Sequence, residues 1–169
     1  MATIKIRSER TFPLIVDRMQ PHEAEALAHL FAAVLNSLPY YNEISKAAEI
    51  SKYLPASLRA STEKDPDSVI VARTTGRIVG FCLSHNDDGV VWLSWFGVDA
   101  EYRKMGIGSA LLTKLEETVR NGRSHKIWCD SRTDNEASKD VLNRQGYLPL
   151  CTVKNHWYGH DFILWEKLV

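Results

Sequence analysis

The chain has 169 residues, 44% of them hydrophobic, with 21 basic and 21 acidic side chains. That length fills one sizeable core and is short for two, so the expectation is a single domain over 11–169 preceded by an N-terminal extension or edge strand at 1–10. Balanced charge supplies no global field for holding nucleic acid or an anionic membrane against salt, and a net charge near zero favours self-association, in the simplest case a homodimer.

"FPLIVDRM" reads as the first strand. After Pro21, the spacing of Leu27, Leu30, Phe31, Val34 and Leu38 predicts an amphipathic helix. "NEISKAAEISKYLPASLRA" predicts a second helix, interrupted or restarted at Pro55. "SVIVAR", "RIVGFCLSH" and "GVVWLSWFGV" are β-rich and joined by "TTG" and "NDDG", turns of the kind that connect antiparallel neighbours. On the third of these, alternation places Trp92 with Ser94 on one face and Trp95 with Val91 on the other.

Ile107, Leu111, Leu115 and Val119 mark a helix that ends near Asn121-Gly122. "HKIWCD" is a strand, "NEASKDVLNRQG" a helix stopped at Gly146, and "YLPLCTV" and "HDFILWEKLV" are two late strands. The pattern is α+β around a mixed, mostly antiparallel sheet of about six or seven strands with about four helices.

Cys82, Cys129 and Cys151 are odd in number, far apart and set in apolar runs. They read as buried thiols in a reducing cytoplasm, not as a disulfide framework. No apolar run reaches the roughly 18 residues needed to cross a membrane, and the start carries no signal-like segment; a soluble cytoplasmic protein is expected. "HNDD" at 85–88 offers metal-ligand types but reads more simply as a polar hairpin turn, and no metal is expected.

The stretch "VDAEYRKMGIGSALL" lies between a strong strand and a strong helix. Amides converging at such a helix N-terminus can bind an anion, with Gly106 and Gly108 permitting close approach and unusual dihedrals, and Arg103, Lys104 and Ser109 adding charge or hydrogen bonds. The alternative is a turn whose glycines only relieve strain. A dinucleotide fingerprint would need glycine at 111, which is Leu111, and a Walker A loop is absent.

This stretch resembles the acetyl-CoA signature of the Gcn5-related N-acetyltransferases (GNAT). The resemblance implies that amides of Met105, Gly106, Ile107, Gly108 and Ser109, with Arg103 and Lys104, grip the CoA pyrophosphate, while the strand end at Phe96, Gly97 and Val98 receives the pantetheine arm. "DSRTDNEASKDVLNRQGY" is similar to the family segment in which an asparagine opens a helix, implying that Asn135, with Ser138 beside it, contacts the pantetheine region. A GNAT-like fold and acetyl-CoA as acyl donor follow from the same likeness.

Acetyl transfer to an amine needs a base, since alkylamines are protonated near neutrality. The resemblance places Asp130 at the family's strand-borne carboxylate; a bare helix-turn cap is the competing reading. Leu142 stands where many relatives carry a tyrosine acid. Tyr158, His156, His160 and Asp161 in "NHWYGHDF" offer other proton-bearing groups near the acceptor, with Tyr158 and His156 taken as catalytic candidates beside Asp130. Tyr40 and Tyr41 fall in the loop that closes over substrate in the family. The expected function is acetylation of a primary amine on a small molecule or peptide; the alternative is an acyl-CoA-binding module with little turnover, motivated by Leu142.

Overall fold

The structure, a computed structural model, describes residues 2–5 and 11–169. Its strands are β1 (Ala2–Lys5), β2 (Thr11–Arg18), β3 (Val69–Thr74), β4 (Arg77–Asp87), β5 (Val90–Val98), β6 (Lys126–Arg132), β7 (Leu148–Val153) and β8 (Phe162–Leu168). Its helices are α1 (Ala24–Asn36), α2 (Glu43–Lys52), α3 (Pro55–Lys64), α4 (Ile107–Thr118) and α5 (Glu136–Arg144). Among the described residues there are thus eight strands and five helices. The excess over the expected numbers has two causes: Ala2–Lys5 pairs with β2, and Pro55, at the first turn of α3, restarts the helical run where its missing N–H costs nothing. Residues 1 and 6–10 of the expected extension lie outside the described residues.

One sheet runs β1-β2-β3-β4-β5-β6-β8-β7. Every neighbouring pair is antiparallel except β5 and β6, which are parallel and joined by the crossover that contains α4. Both expected hairpins are two-residue turns with two left-handed residues each: Thr75 and Gly76 at φ 50° and 77°, Asp88 and Gly89 at φ 47° and 82°. "HNDD" therefore closes β4 and turns into β5.

Both faces of the sheet are covered, so β3 opens on an uninterrupted apolar run, Val69 to Ala72. Ile70 and Ala72 face the cluster formed with Ile107, Leu111, Leu112 and Leu115 of α4, while Val69 and Val71 face Leu27, Phe31 and Leu35 of α1 and Leu58 of α3. Two expectations change here. Cys82 and Cys129 are buried, but Cys151 is exposed, because β7 is the sheet's edge strand and few atoms cover either of its faces. Trp95 leaves the face of Val91: a bulge at Ser94, where Leu83 pairs with Trp95 and Ser84 with Leu93, turns Trp95 toward α1.

Gly97 is required by packing. A Cβ there would lie 2.6 Å from the ring of Phe81 and 3.1 Å from Val34, and Phe81 is fully buried against Phe31 with ring centroids 5.5 Å apart. Gly97→Ala is expected to destabilise the fold by roughly 1–3 kcal/mol through this overpacking. Urea unfolding should show a lower midpoint at unchanged slope; an unchanged midpoint would mean that Phe81 withdraws freely.

Candidate active site

β5 and β6 pair only from Val90–Lys126 to Leu93–Cys129. Beyond that point β5 continues to Val98 on β4 and β6 continues to Arg132 on β8, so the two strands part. The bulge at Ser94 sits where they separate and bends β5 away. The gap opens a cleft of about 880 Å³, lined by the β5 and β6 strand ends, the N-terminal turns of α4 and α5, and the segment between α1 and α2.

One end carries groups that could hold an anion. Lys104 and Gly106 hold φ of 63° and 80°, left-handed backbone of the kind that can gather successive N–H groups at a helix start. A Cβ on Gly106 would meet nothing within 4 Å, so glycine is there for its left-handed backbone; one on Gly108 would meet Val141 at 3.7 Å, an ordinary contact. Arg103 and Lys104 are exposed and line the cleft with Ser109. Met105 packs against the core and Ile107 is buried in it, so these two offer backbone. Asn135 caps α5, accepting from the Ser138 N–H at 3.2 Å and donating to its hydroxyl at 2.8 Å. Both side chains line the cleft beside Phe96, Gly97 and Val98.

The other end is aromatic and carboxylate-bearing. Tyr40, Tyr41, Trp95 and Asp130 line it. Arg132, largely buried, fixes this wall: its guanidinium forms a fork with Asp134 at 2.9 and 2.7 Å, donates to the Tyr40 carbonyl at 2.9 Å, and lies over both tyrosine rings. Burial pushes the Asp130 carboxyl above the ordinary range; the Trp157 indole N–H, donating to Oδ2 at 2.8 Å, and His156 pull it back down. The Tyr41 hydroxyl is raised by burial and by neighbouring Tyr40 and Asp130.

Tyr158 and His156 lie on the short turn before β8, outside the residues that line the cleft. The Tyr158 hydroxyl donates to Glu49 Oε1 at 3.1 Å, and burial together with that carboxylate raises its pKa. Its proton is thereby committed. His156 lies against Trp157 in a tilted arrangement, ring centroids 4.3 Å apart. Asp161 is taken up by Lys154 at 2.7 Å and the Asn155 N–H at 2.9 Å. Leu142 is fully buried in the core against α4, so its position on α5 turns away from solvent. Sequence reasoning missed Glu49, only 8% exposed, which collects the Trp95 indole N–H, Lys52 and Tyr158.

The sequence matches the model of the Acetyltransferase (GNAT) family over residues 32–147. The chain belongs to this family. It is an acetyl-CoA-dependent N-acetyltransferase, with acetyl-CoA as acyl donor. It is similar to an uncharacterised N-acetyltransferase of Methanocaldococcus jannaschii, 29% identical over 127 residues that span 74% of this chain and 81% of the relative. Its fold is similar to that of PaiA N-acetyltransferase from Thermoplasma acidophilum in complex with coenzyme A, at TM-score 0.81 and 18% identity over 93% of this chain and 99% of the other. Ard1 from Thermoplasma volcanium has TM-score 0.73 and 20% identity over 92% and 97%. At those identities the likeness is one of fold. The GNAT enzyme's own residues could hold its donor: Lys104 and Gly106 are left-handed just before α4, and Arg103, Lys104 and Ser109 line the cleft there. Among the described residues no helix is long and apolar enough to cross a membrane.

Proposed function

We propose that this enzyme acetylates a primary amine carried on a small molecule or a peptide, with Asp130 as the base. The supporting observation is the parting of β5 and β6, which leaves the Asp130 carboxylate in a cleft whose far end is an anion site and whose near wall is Tyr40, Tyr41 and Trp95. An aromatic wall suits an amine attached to an apolar or peptidic body. Acetyl-CoA supplies the acetyl thioester when bound. Arg103, Lys104 and the amides of 105–109 hold the pyrophosphate, and Asn135 and Ser138 border the pantetheine arm.

A carboxyl raised by burial is a better acceptor for an ammonium proton than an exposed aspartate. Asp130 takes that proton directly or through one water. The unpaired β5 edge at Phe96–Val98 supplies amide donors for the charge that develops on the carbonyl oxygen. Leu142 offers no proton, and the leaving thiol needs none at once: a thiol with a pKa near that of cysteine, about 8.5, departs as thiolate and is protonated by water.

The test is calorimetric binding of acetyl-CoA followed by thiol release against a panel of peptides and small amines. Binding with amine-dependent release supports the reading and names the acceptor. Binding with release that no primary amine accelerates would overturn the acceptor assignment.

A further inference from the structure

The turn between β7 and β8 is closed on itself. His156 donates its N–H to the His160 carbonyl at 2.7 Å, Lys154 pairs with Asp161, and Asn155, Tyr158 and Gly159 all take left-handed backbone, at φ 49°, 54° and 75°. A left-handed tyrosine is held against its own preference and persists where its surroundings over-determine it. Here they do so through two side-chain hydrogen bonds to two different elements. Trp157 Nε1 reaches Asp130 Oδ2 on β6 at 2.8 Å, and the Tyr158 hydroxyl reaches Glu49 Oε1 on α2 at 3.1 Å. Glu49 is a fixed post, since Trp95 at 3.2 Å and Lys52 at 2.6 Å already hold its carboxylate.

We infer that Trp157 is a positioning residue for Asp130: its indole N–H ties Oδ2 and leaves Oδ1 to meet the amine, while the Tyr158–Glu49 bond holds the turn that carries Trp157. The inference rests on the proposed role of Asp130 as base. Oδ1 has no hydrogen-bond partner among the described residues, so the two carboxylate oxygens are inequivalent. The groups facing Asp130 are His156 and Trp157 from the turn, Glu49 from α2, Tyr41 from the segment between α1 and α2, and its strand neighbour Cys129. Of these, His156 and the Trp157 bond favour the ionised form, against burial and Glu49. Losing the indole N–H therefore makes the base harder to ionise, without touching the donor site at the other end of the cleft.

The experiment follows the wild-type enzyme, Trp157→Phe and Tyr158→Phe by two readouts: the pH dependence of kcat/KM and the carboxyl ¹³C NMR titration of Asp130. Trp157→Phe is expected to move both the acid limb and the carboxyl titration to higher pH, so that activity on the acid side falls roughly three- to tenfold more than on the plateau. Tyr158→Phe moves both in the same direction by less, and serves if Trp157→Phe folds poorly. A carboxyl titration unchanged in both variants overturns the inference. A titration that moves while the acid limb stays put upholds the Trp157–Asp130 contact and shows that the failure lies with Asp130 as base.

Discussion

Asp130→Asn is expected to lower kcat by roughly 10²- to 10⁴-fold, the usual contribution of a positioned general base, and to raise the melting temperature near neutral pH. Both effects have one cause. Burial disfavours the charged carboxylate, which raises its pKa and suits it to the proposed role of base. A group whose folded pKa lies above its unfolded value contributes stability below the unfolded value and loses it as pH rises through the folded one. Ionised Asp130 therefore costs the fold stability at neutral pH, and asparagine, similar in shape and uncharged, removes that cost while still accepting from Trp157. The stability gain should be absent in acid, where Asp130 is protonated, and grow as pH rises above the ordinary carboxylate range. Thermal melts of both proteins across that range check it. Identical melting curves at every pH would mean that the carboxylate is solvated in place, and its poise as a base would have to come from elsewhere.

Much of the fold was legible because local chemistry and tertiary context agree. Thr75-Gly76 and Asp88-Gly89 can hardly be anything but tight turns, and Pro55 marks the restart of a helix. The glycine segment also reads correctly as the link between β5 and α4, since Gly106 is the helix's left-handed N-cap. What escaped reading depends on partners far away in the chain. Glu49 sits in "SKAAEISK", which looks like a solvated helix surface; it is buried because the turn 109 residues later brings Tyr158 onto it. The bulge at Ser94 leaves no signature in an alternating strand, yet it decides which way Trp95 points. Gly97 lines the cleft, and the contact that demands glycine there, the ring of Phe81, is equally invisible in the local sequence. Cys151 reads as a core thiol from its apolar neighbours and is exposed because, among the described residues, β7 is an edge strand.

Arg103→Glu is expected to weaken acetyl-CoA binding by roughly 10²-fold or more while changing stability by no more than about 0.5 kcal/mol. The asymmetry follows from the side chain's present partners. Arg103 is exposed and donates to the Val98 carbonyl and the Ser37 hydroxyl, each at 3.2 Å, two neutral acceptors near the long end of hydrogen-bonding distance. Exchanging them for a doubly charged pyrophosphate forfeits little and gains charge-assisted bonds that the planar guanidinium makes in pairs. Arg103→Lys, which keeps the charge and loses the fork, should fall between the two. Because the interaction is electrostatic and partly exposed, wild-type affinity should drop as salt rises, and the charge-reversed variant should show a shallower dependence. Binding of S-acetylpantetheine, which carries the acetyl thioester without the pyrophosphate, provides the internal control. It should be nearly indifferent to Arg103→Glu. An equal loss for both ligands would place Arg103 against the pantetheine arm or the fold itself, and the anion site at the start of α4 would then rest on Lys104 and the backbone amides alone.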